Sequence, residues 1–431
     1  MTSHRIHSGT HRRVKRAKLT WKKKVVRGFI LILGILVALA VIGNLLPQPK
    51  AHAAQPPVAE RPVMGYNTWY EFGAAITEAK VLSQASLLVK TGLAAPGYNT
   101  VVIDDGWQGT KTGHRGSTAA LVQNTTTFPH GMMWLARQLH GMGLKFGVYT
   151  AIGANTCTDH GGLAGSFGHY AQDAATFKLW GADFVKVDSC KGLPAGTSAT
   201  QLTAYFAQFG AYIRAKGMTY SEELPVLMPA GSQYITAVAK SSQFANMWRV
   251  APDESPLNPE RVTVIGGLLA SLPLYPYARF NHWNDLDLLV PGNPDAHPFG
   301  WTLAQEQSQV AVWAQEASPL ILSTDIAKLS AAELAMLKNP HIVNIDQSGS
   351  QAPVWTTHGH VTAVVKGADG GMSLLLANTG TGTASAAFTL PEVHVNKASA
   401  SILNVWTGAT GMTGGIRITL PPGGTALYIL K

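Results

Sequence analysis

Lys186, Asp188 and Cys190 alternate with Val187 and Ser189 in the run DFVKVDSCKG, residues 183–192. Alternate residues of a strand share a face. A lysine, an aspartate and a cysteine would therefore look the same way from the end of an apolar strand. A strand end reaching water, with one ion pair, would have the same pattern. A carboxylate kept ionised by a neighbouring lysine is also the form that a nucleophile takes. Acidic residues close five of the other seven apolar runs too. NTVVIDDGW contains Asp104 and Asp105, MTYSEE ends in Glu222 and Glu223, and NMWRVAPD ends in Asp253. HWNDLDLLV carries Asp285 and Asp287, and PLILSTDI carries Asp325. Trp69, Trp107, Tyr149, Lys186 and Arg249 belong to the same strand ends. Glycoside hydrolysis uses such a set: two carboxylates across the scissile bond, others on the sugar hydroxyls, and rings against the sugar face. A metal-dependent hydrolase or lyase is the other chemistry of an acidic cup. Lys186 and Arg249 would balance the carboxylates without a cation, and no closely spaced histidine pair joins them. No metal and no cofactor are expected.

These residues need a scaffold that collects strand ends at one rim. From Val63, short β-rich runs alternate with helix-like segments such as TEAKVLSQASLLVKTG (77–92) and TSATQLTAYFAQFGAYIRAKG (197–217). Eight such strands, each followed by a helical crossover, predict an α/β fold of the (β/α)8 TIM-barrel kind over residues 62–347. A doubly wound sheet would open on a Gly-rich nucleotide turn, and none is visible. After Gln347 the helical period ends, and β-formers alternate with Gly, Thr, Asn and Pro. Residues 348–431 are expected to form a small C-terminal antiparallel β-sandwich.

The N-terminal segment is of another kind. The formal charge of +9 arises there: residues 1–53 hold 11 of the 33 Lys and Arg and no Asp or Glu, leaving 22 bases against 24 acids beyond them. The folded body therefore gives no reason to expect nucleic acid as a partner. Phe29 to Leu46 is an uncharged run of 18 residues, roughly 27 Å long as a helix. Ala51-His52-Ala53 fits a signal-peptidase site. Residues 1–53 thus read as a basic leader with a signal or membrane-anchor segment, and 54–61 as a linker. Both alternatives export the body; cleavage would make it secreted, retention would anchor it to the membrane. Cys157 and Cys190 are the only cysteines, and in an exported chain an even pair suggests a disulfide. Their Cα atoms should then lie about 4.4–6.8 Å apart.

The order of the motifs resembles glycoside hydrolase family 27, the α-galactosidase and α-N-acetylgalactosaminidase family. MGYNTW, VVIDDGW, GLKFGVYT, FVKVDSC, YSEELP, MWRVAPD and HWNDLDLL are similar to its successive barrel strands, and WTGATG…LPPGGTALYIL to its C-terminal sandwich. The resemblance implies a retaining, exo-acting α-galactosidase acting on an oligosaccharide or polysaccharide. It implies Asp188 as nucleophile and Asp253 as general acid/base. Asp104 and Asp105 would hold the 4- and 6-hydroxyls, Lys186 a neighbouring hydroxyl, and Glu223 and Arg249 the 2-position. Trp69 and Tyr149 would line the pocket, and Cys157–Cys190 would be the active-site disulfide. Lys186 is expected to keep Asp188 ionised, and the surrounding acids to raise the pKa of Asp253 against Arg249.

Departures from the family pattern bear on the sugar. Gly106 stands where a cysteine is usual, Tyr66 replaces a tryptophan, Ala151 an aspartate and Leu224 a tryptophan. A β-L-arabinopyranosidase or isomalto-dextranase of the same family is the alternative activity. A carbohydrate-binding protein without catalysis is the alternative of a different class, although both candidate carboxylates, Lys186 and Arg249 are present. Trp107 is read as a second pocket aromatic beside Trp69, Glu222 as facing away from the site, and His282 as structural.

Overall fold

The eight apolar runs become eight short parallel strands in the computed structural model. They are β1 (Met64–Asn67), β2 (Thr100–Ile103), β3 (Lys145–Ala151), β4 (Phe184–Asp188), β5 (Thr219–Glu223), β6 (Met247–Arg249), β7 (Trp283–Asp285) and β8 (Leu320–Leu322). The structure describes residues 59–109, 115, 119–158, 163–224, 232–253, 264–293, 300–349, 354–368 and 370–431. The basic leader and the apolar run lie outside these residues. Among the described residues no helix is long and apolar enough to cross a membrane.

The sheet order is β7-β6-β5-β4-β3-β2-β1-β8, so the first strand sits between the second and the last. The remaining seam is closed just beyond β7: Leu289 bridges Leu322 in parallel. The Leu289 amide donates to the Ile321 carbonyl and the Ser323 amide to the Leu289 carbonyl, both at 2.8 Å. This is the closure of a barrel. Outward-facing Val101, Ile103, Val148, Val185, Val187 and Trp248 are fully buried under the helices, which is why the strands are apolar runs rather than alternating ones. Inside, Val102, Phe184, Met247 and Trp283 form a separate apolar cluster that fills the barrel. Ala59, within the expected linker, is 3% exposed, and its carbonyl accepts the Trp283 indole N–H at 2.9 Å.

Several of the returning helices start on chemically marked residues. Thr77 caps the helix Glu78–Lys90. Reciprocal capping boxes, Ser198 with Gln201 and Thr302 with Gln305, open Ala199–Arg214 and Leu303–Glu316. Each box satisfies two backbone donors at a helix end.

Beyond the barrel, the strands are antiparallel. A six-stranded sheet is built from 354–358, 361–368, 371–378, 400–404, 410–413 and 425–430, and a two-stranded one from 384–389 and 415–420. Their facing sides enclose Val361, Ala363, Val365, Leu374, Leu376, Phe388, Ile416 and Leu420. The large sheet's other side rests on the barrel helix Leu303–Glu316. The Gln315 amide donates to the Val364 carbonyl at 2.9 Å, the Ser373 hydroxyl to Gln315 Oε1 at 2.9 Å, and Lys366 Nζ to the Ala314 carbonyl at 2.9 Å. Buried polar groups are thus paired across the joint, as burial requires.

Candidate active site

Strand register places the chemistry. Tyr149, Lys186 and Ser221 are in register across β3, β4 and β5, and Ala151, Asp188 and Glu223 form the next inward layer. Period two then puts Lys186, Asp188 and Glu223 on one inner face. Glu222 takes the opposite face. It is fully buried, its Oε1 accepts from the Ser241 hydroxyl at 2.8 Å, and burial pushes its pKa up to about 8. His282 is also structural, with Nδ1 2.6 Å from the Ala245 carbonyl.

The extensions of β3 and β4 explain the cysteines. The Ile152 amide donates to the Asp188 carbonyl at 2.7 Å, and those of Ala154 and Asn155 to the Gly192 and Lys191 carbonyls at 3.2 Å. Gly153 permits this approach, because a Cβ there would collide with the Lys191 carbonyl. Cys157 and Cys190 are joined, with Cα atoms 5.0 Å apart, inside the expected range. The Cys157 sulfur lies 3.4 Å from Asp188 Oδ2.

Asp188 has a donor on each oxygen: the Ser189 amide on Oδ1 at 2.7 Å and the Tyr149 hydroxyl on Oδ2 at 3.2 Å. Burial raises its pKa to about 6; Lys186 opposes that shift and the charge of Asp253 adds to it. Lys186 is 8% exposed and gives Nζ to Asp104 Oδ2 at 2.9 Å, with Glu223 Oε1 at 4.0 Å. Burial disfavours its charge, but Asp104 and Glu223 outweigh this and hold its pKa above the usual range. Asp104 Oδ2 also accepts from the Asn67 amide at 2.7 Å. Asp105 is held by the Gly106 and Thr158 amides at 2.9 and 3.0 Å. Burial and the charge of Asp104 lift its pKa to about 7.

Across the cup, Arg249 gathers three carboxylates. Its Nη2 lies 2.5 Å from Glu223 Oε2 and 2.6 Å from Asp287 Oδ1, and its Nη1 lies 2.7 Å from Asp253 Oδ1. Asp253 is the open member, with a side chain 64% exposed. Desolvation pushes its pKa upward, but Arg249, with Lys186 behind it, holds it below the usual carboxylate value. The cup therefore offers a half-buried carboxylate, an accessible carboxylate, two buried cations and a fixed wall of acceptors. Among the described residues the one cluster with metal-ligand types is Cys157, Asp188 and Cys190, and its sulfurs are tied in the disulfide.

The family profile described as alpha galactosidase A matches residues 62–348. The chain belongs to the alpha galactosidase A family, glycoside hydrolase family 27. A probable alpha-galactosidase A of Aspergillus fumigatus is 31% identical over 382 residues, covering 85% of this chain and 70% of the relative. The alpha-galactosidase A of Cellvibrio japonicus is 29% identical, with 88% and 94% covered. The crystal structure of alpha-galactosidase I from Mortierella vinacea matches with a TM-score of 0.76 at 24% identity, covering 88% and 98%. As a family 27 glycoside hydrolase, the chain links Asp104, Lys186, Glu223, Arg249 and Asp253 by successive ion pairs, with the hydrogen-bonded Tyr149–Asp188 pair in register beside Lys186 and Glu223 and with Asp105 next to Asp104. Trp69 is half-buried just after β1.

Lys186 favours the charged form of Asp188, but burial outweighs it and sets the pKa at about 6. Three expectations are corrected. The acids do not raise Asp253, because Arg249 is closer and wins. Trp107 is a core tryptophan: it is fully buried, donates to the Tyr149 carbonyl at 2.9 Å, and packs edge-on against Phe177 and Trp180. Asp325 also leaves the rim ring, since its Oδ1 accepts from Gln84 at 2.8 Å and caps the Ala327 amide at 3.1 Å. Sequence reading passed over Asn67 and Tyr70. Asn67 lay inside the quoted MGYNTW run, one strand face from Asp104; for Tyr70 nothing in the local pattern signals a role.

Proposed function

We propose that this family 27 enzyme is an exo-acting α-galactosidase that retains anomeric configuration, with Asp188 as nucleophile and Asp253 as acid/base. The observation that carries the reading is the pairing of a half-buried, doubly hydrogen-bonded Asp188 with an accessible Asp253 that repels its charge. The alpha-galactosidase names of relatives at about 30% identity support the sugar. Asp188 would attack the anomeric carbon while Asp253 protonates the leaving oxygen. A sugar over Asp253 strips its water, which raises its pKa toward the acid role. Once Asp188 is esterified its charge is gone, and Asp253 becomes the stronger acid, ready to serve as the base that activates water. Asp104 and Asp105 would accept from the 4- and 6-hydroxyls, Lys186 would donate to a neighbouring one, and Glu223 and Arg249 would meet the 2-position.

A panel of nitrophenyl glycosides tests this. The α-galactoside should give the highest kcat/KM, above the β-L-arabinopyranoside, which lacks the 6-hydroxymethyl group, and the α-glucoside. A higher value for either of the others would reassign the sugar; turnover of none would leave a binding protein.

The leader supports export of the enzyme. N-terminal sequencing of extracellular protein should begin near Ala54, or the intact N-terminus should be found in the membrane fraction. Intact chain confined to the cytoplasm would contradict export.

A further inference from the structure

Tyr70 stands in the short helix Trp69–Phe72 directly after β1. Its amide is fixed by the Ser323 hydroxyl at 2.8 Å, and its own hydroxyl donates to Asp287 Oδ2 at 2.8 Å. The other oxygen of Asp287 meets Arg249 Nη2 at 2.6 Å, and Arg249 Nη1 meets Asp253 at 2.7 Å. Asp287 is 2% exposed and has φ 86°, with its amide on Asp285 Oδ1 at 2.9 Å and its carbonyl under the Trp313 indole at 2.7 Å. Its backbone is therefore pinned, and the direction of its carboxylate is set by Tyr70 and Arg249.

We infer that Tyr70 is a positioning residue for Asp253, acting through Asp287 and Arg249. This rests on the acid/base role proposed for Asp253. The geometry gives the reason. A free carboxylate facing a guanidinium prefers a two-pronged pairing. Tyr70 occupies one oxygen of Asp287, the other meets Nη2 of Arg249, and Nη1 is directed at Asp253. Without the Tyr70 hydroxyl, Asp287 can turn both oxygens on the guanidinium and draw Nη1 away. Asp253 is the carboxylate with the most solvent around it, and Nη1 is its closest cation. The charged groups that act on it are Arg249 and Lys186, which hold its pKa down, and Asp188, which repels it. Asp253 also bears on Tyr70 itself: burial first, then the charges of Asp287 and Asp253, raise the phenol's pKa against Arg249. Tyr70 therefore stays protonated and keeps donating across the working pH range.

The test is Tyr70→Phe in the full-length enzyme, beside Asp253→Ala and the double variant. Each is assayed on nitrophenyl α-galactoside, whose leaving group needs little protonation, and on an α-galactosyl oligosaccharide, whose leaving group needs it. In Tyr70→Phe, kcat on the oligosaccharide should fall about tenfold, which is about 1.4 kcal/mol of barrel-rim organisation lost in the transition state. The nitrophenyl substrate should lose less. The limb of the kcat/KM–pH profile governed by Asp253 should move to higher pH, because its cation is weakened. In the Asp253→Ala background, Tyr70→Phe should cost nothing further. Equal losses on both substrates, an unmoved limb, or additive losses in the double variant would overturn the inference and leave Tyr70 a packing residue. Should Asp253→Ala alone show no dependence on leaving group, the acid/base assignment fails first, and the inference with it.

Discussion

Asp188→Asn loses turnover on every substrate, by about 10⁴-fold or more in kcat, as expected when a nucleophile that acts with its partners as a unit is removed. The substitution is close to isosteric, so the Ser189 amide and the Tyr149 hydroxyl still surround the side chain. Binding should survive better than chemistry, and galactose affinity measured by calorimetry should change far less than kcat. The pH profile of the wild-type enzyme follows from the same carboxylate. Burial places the Asp188 pKa at about 6. A raised pKa extends the protonated, non-nucleophilic form upward in pH, so activity should fall as pH drops through that region. Near-normal turnover in Asp188→Asn would show that another carboxylate attacks.

Asp253→Ala separates protonation from attack. General-acid assistance contributes roughly 10²–10⁴-fold, so an oligosaccharide with a poor leaving group should lose that much. Nitrophenyl α-galactoside should lose much less in its first step, and the second step should become limiting because no base activates water. Azide is small and needs no base. It should enter the space left by the carboxylate, which is open to solvent, restore turnover of the nitrophenyl substrate and yield α-galactosyl azide. Equal losses on both substrates with no azide rescue would remove Asp253 from the acid/base role.

The barrel and the disulfide were legible because they rest on local, periodic features. Eight short apolar runs have both faces buried, and the cysteines follow the adjacent strands β3 and β4, whose extensions bond to one another. The inward face of β4 was legible for the same reason, since period two admits one register for Lys186 and Asp188. What sequence could not rank was competing electrostatics. Lys186 is two residues from Asp188, but it gives its closest contact to Asp104 at 2.9 Å, leaving burial to set the Asp188 pKa. Arg249 lies four residues before Asp253 in sequence and bonds it directly at 2.7 Å, so the opposing cation outweighs the surrounding acids, a balance of distances that spacing alone does not give. Trp107 and Asp325 show the same limit. Both sit at the expected strand ends, yet Trp107 turns outward under Phe177 and Trp180, and Asp325 bonds to Gln84 on another helix. Gly106, where the family's cysteine is absent, has φ 111°, and a Cβ there would press on the Ala74 backbone at 2.6 Å. A glycine fits that turn without strain. Tyr70 was invisible because its meaning depends on Asp287 and Arg249, which arrive from β7 and β6.

Double displacement through Asp188 fixes the anomeric form of the first-released sugar. Proton NMR during the first minutes of hydrolysis of nitrophenyl α-galactoside, before mutarotation, distinguishes the two anomers. A covalent intermediate on Asp188 inverts the centre once and water inverts it again. α-Galactose should appear first, with the β-anomer growing in only at the rate of mutarotation. β-Galactose as the first product would mean a single displacement by water and would contradict the assignment of Asp188 as nucleophile.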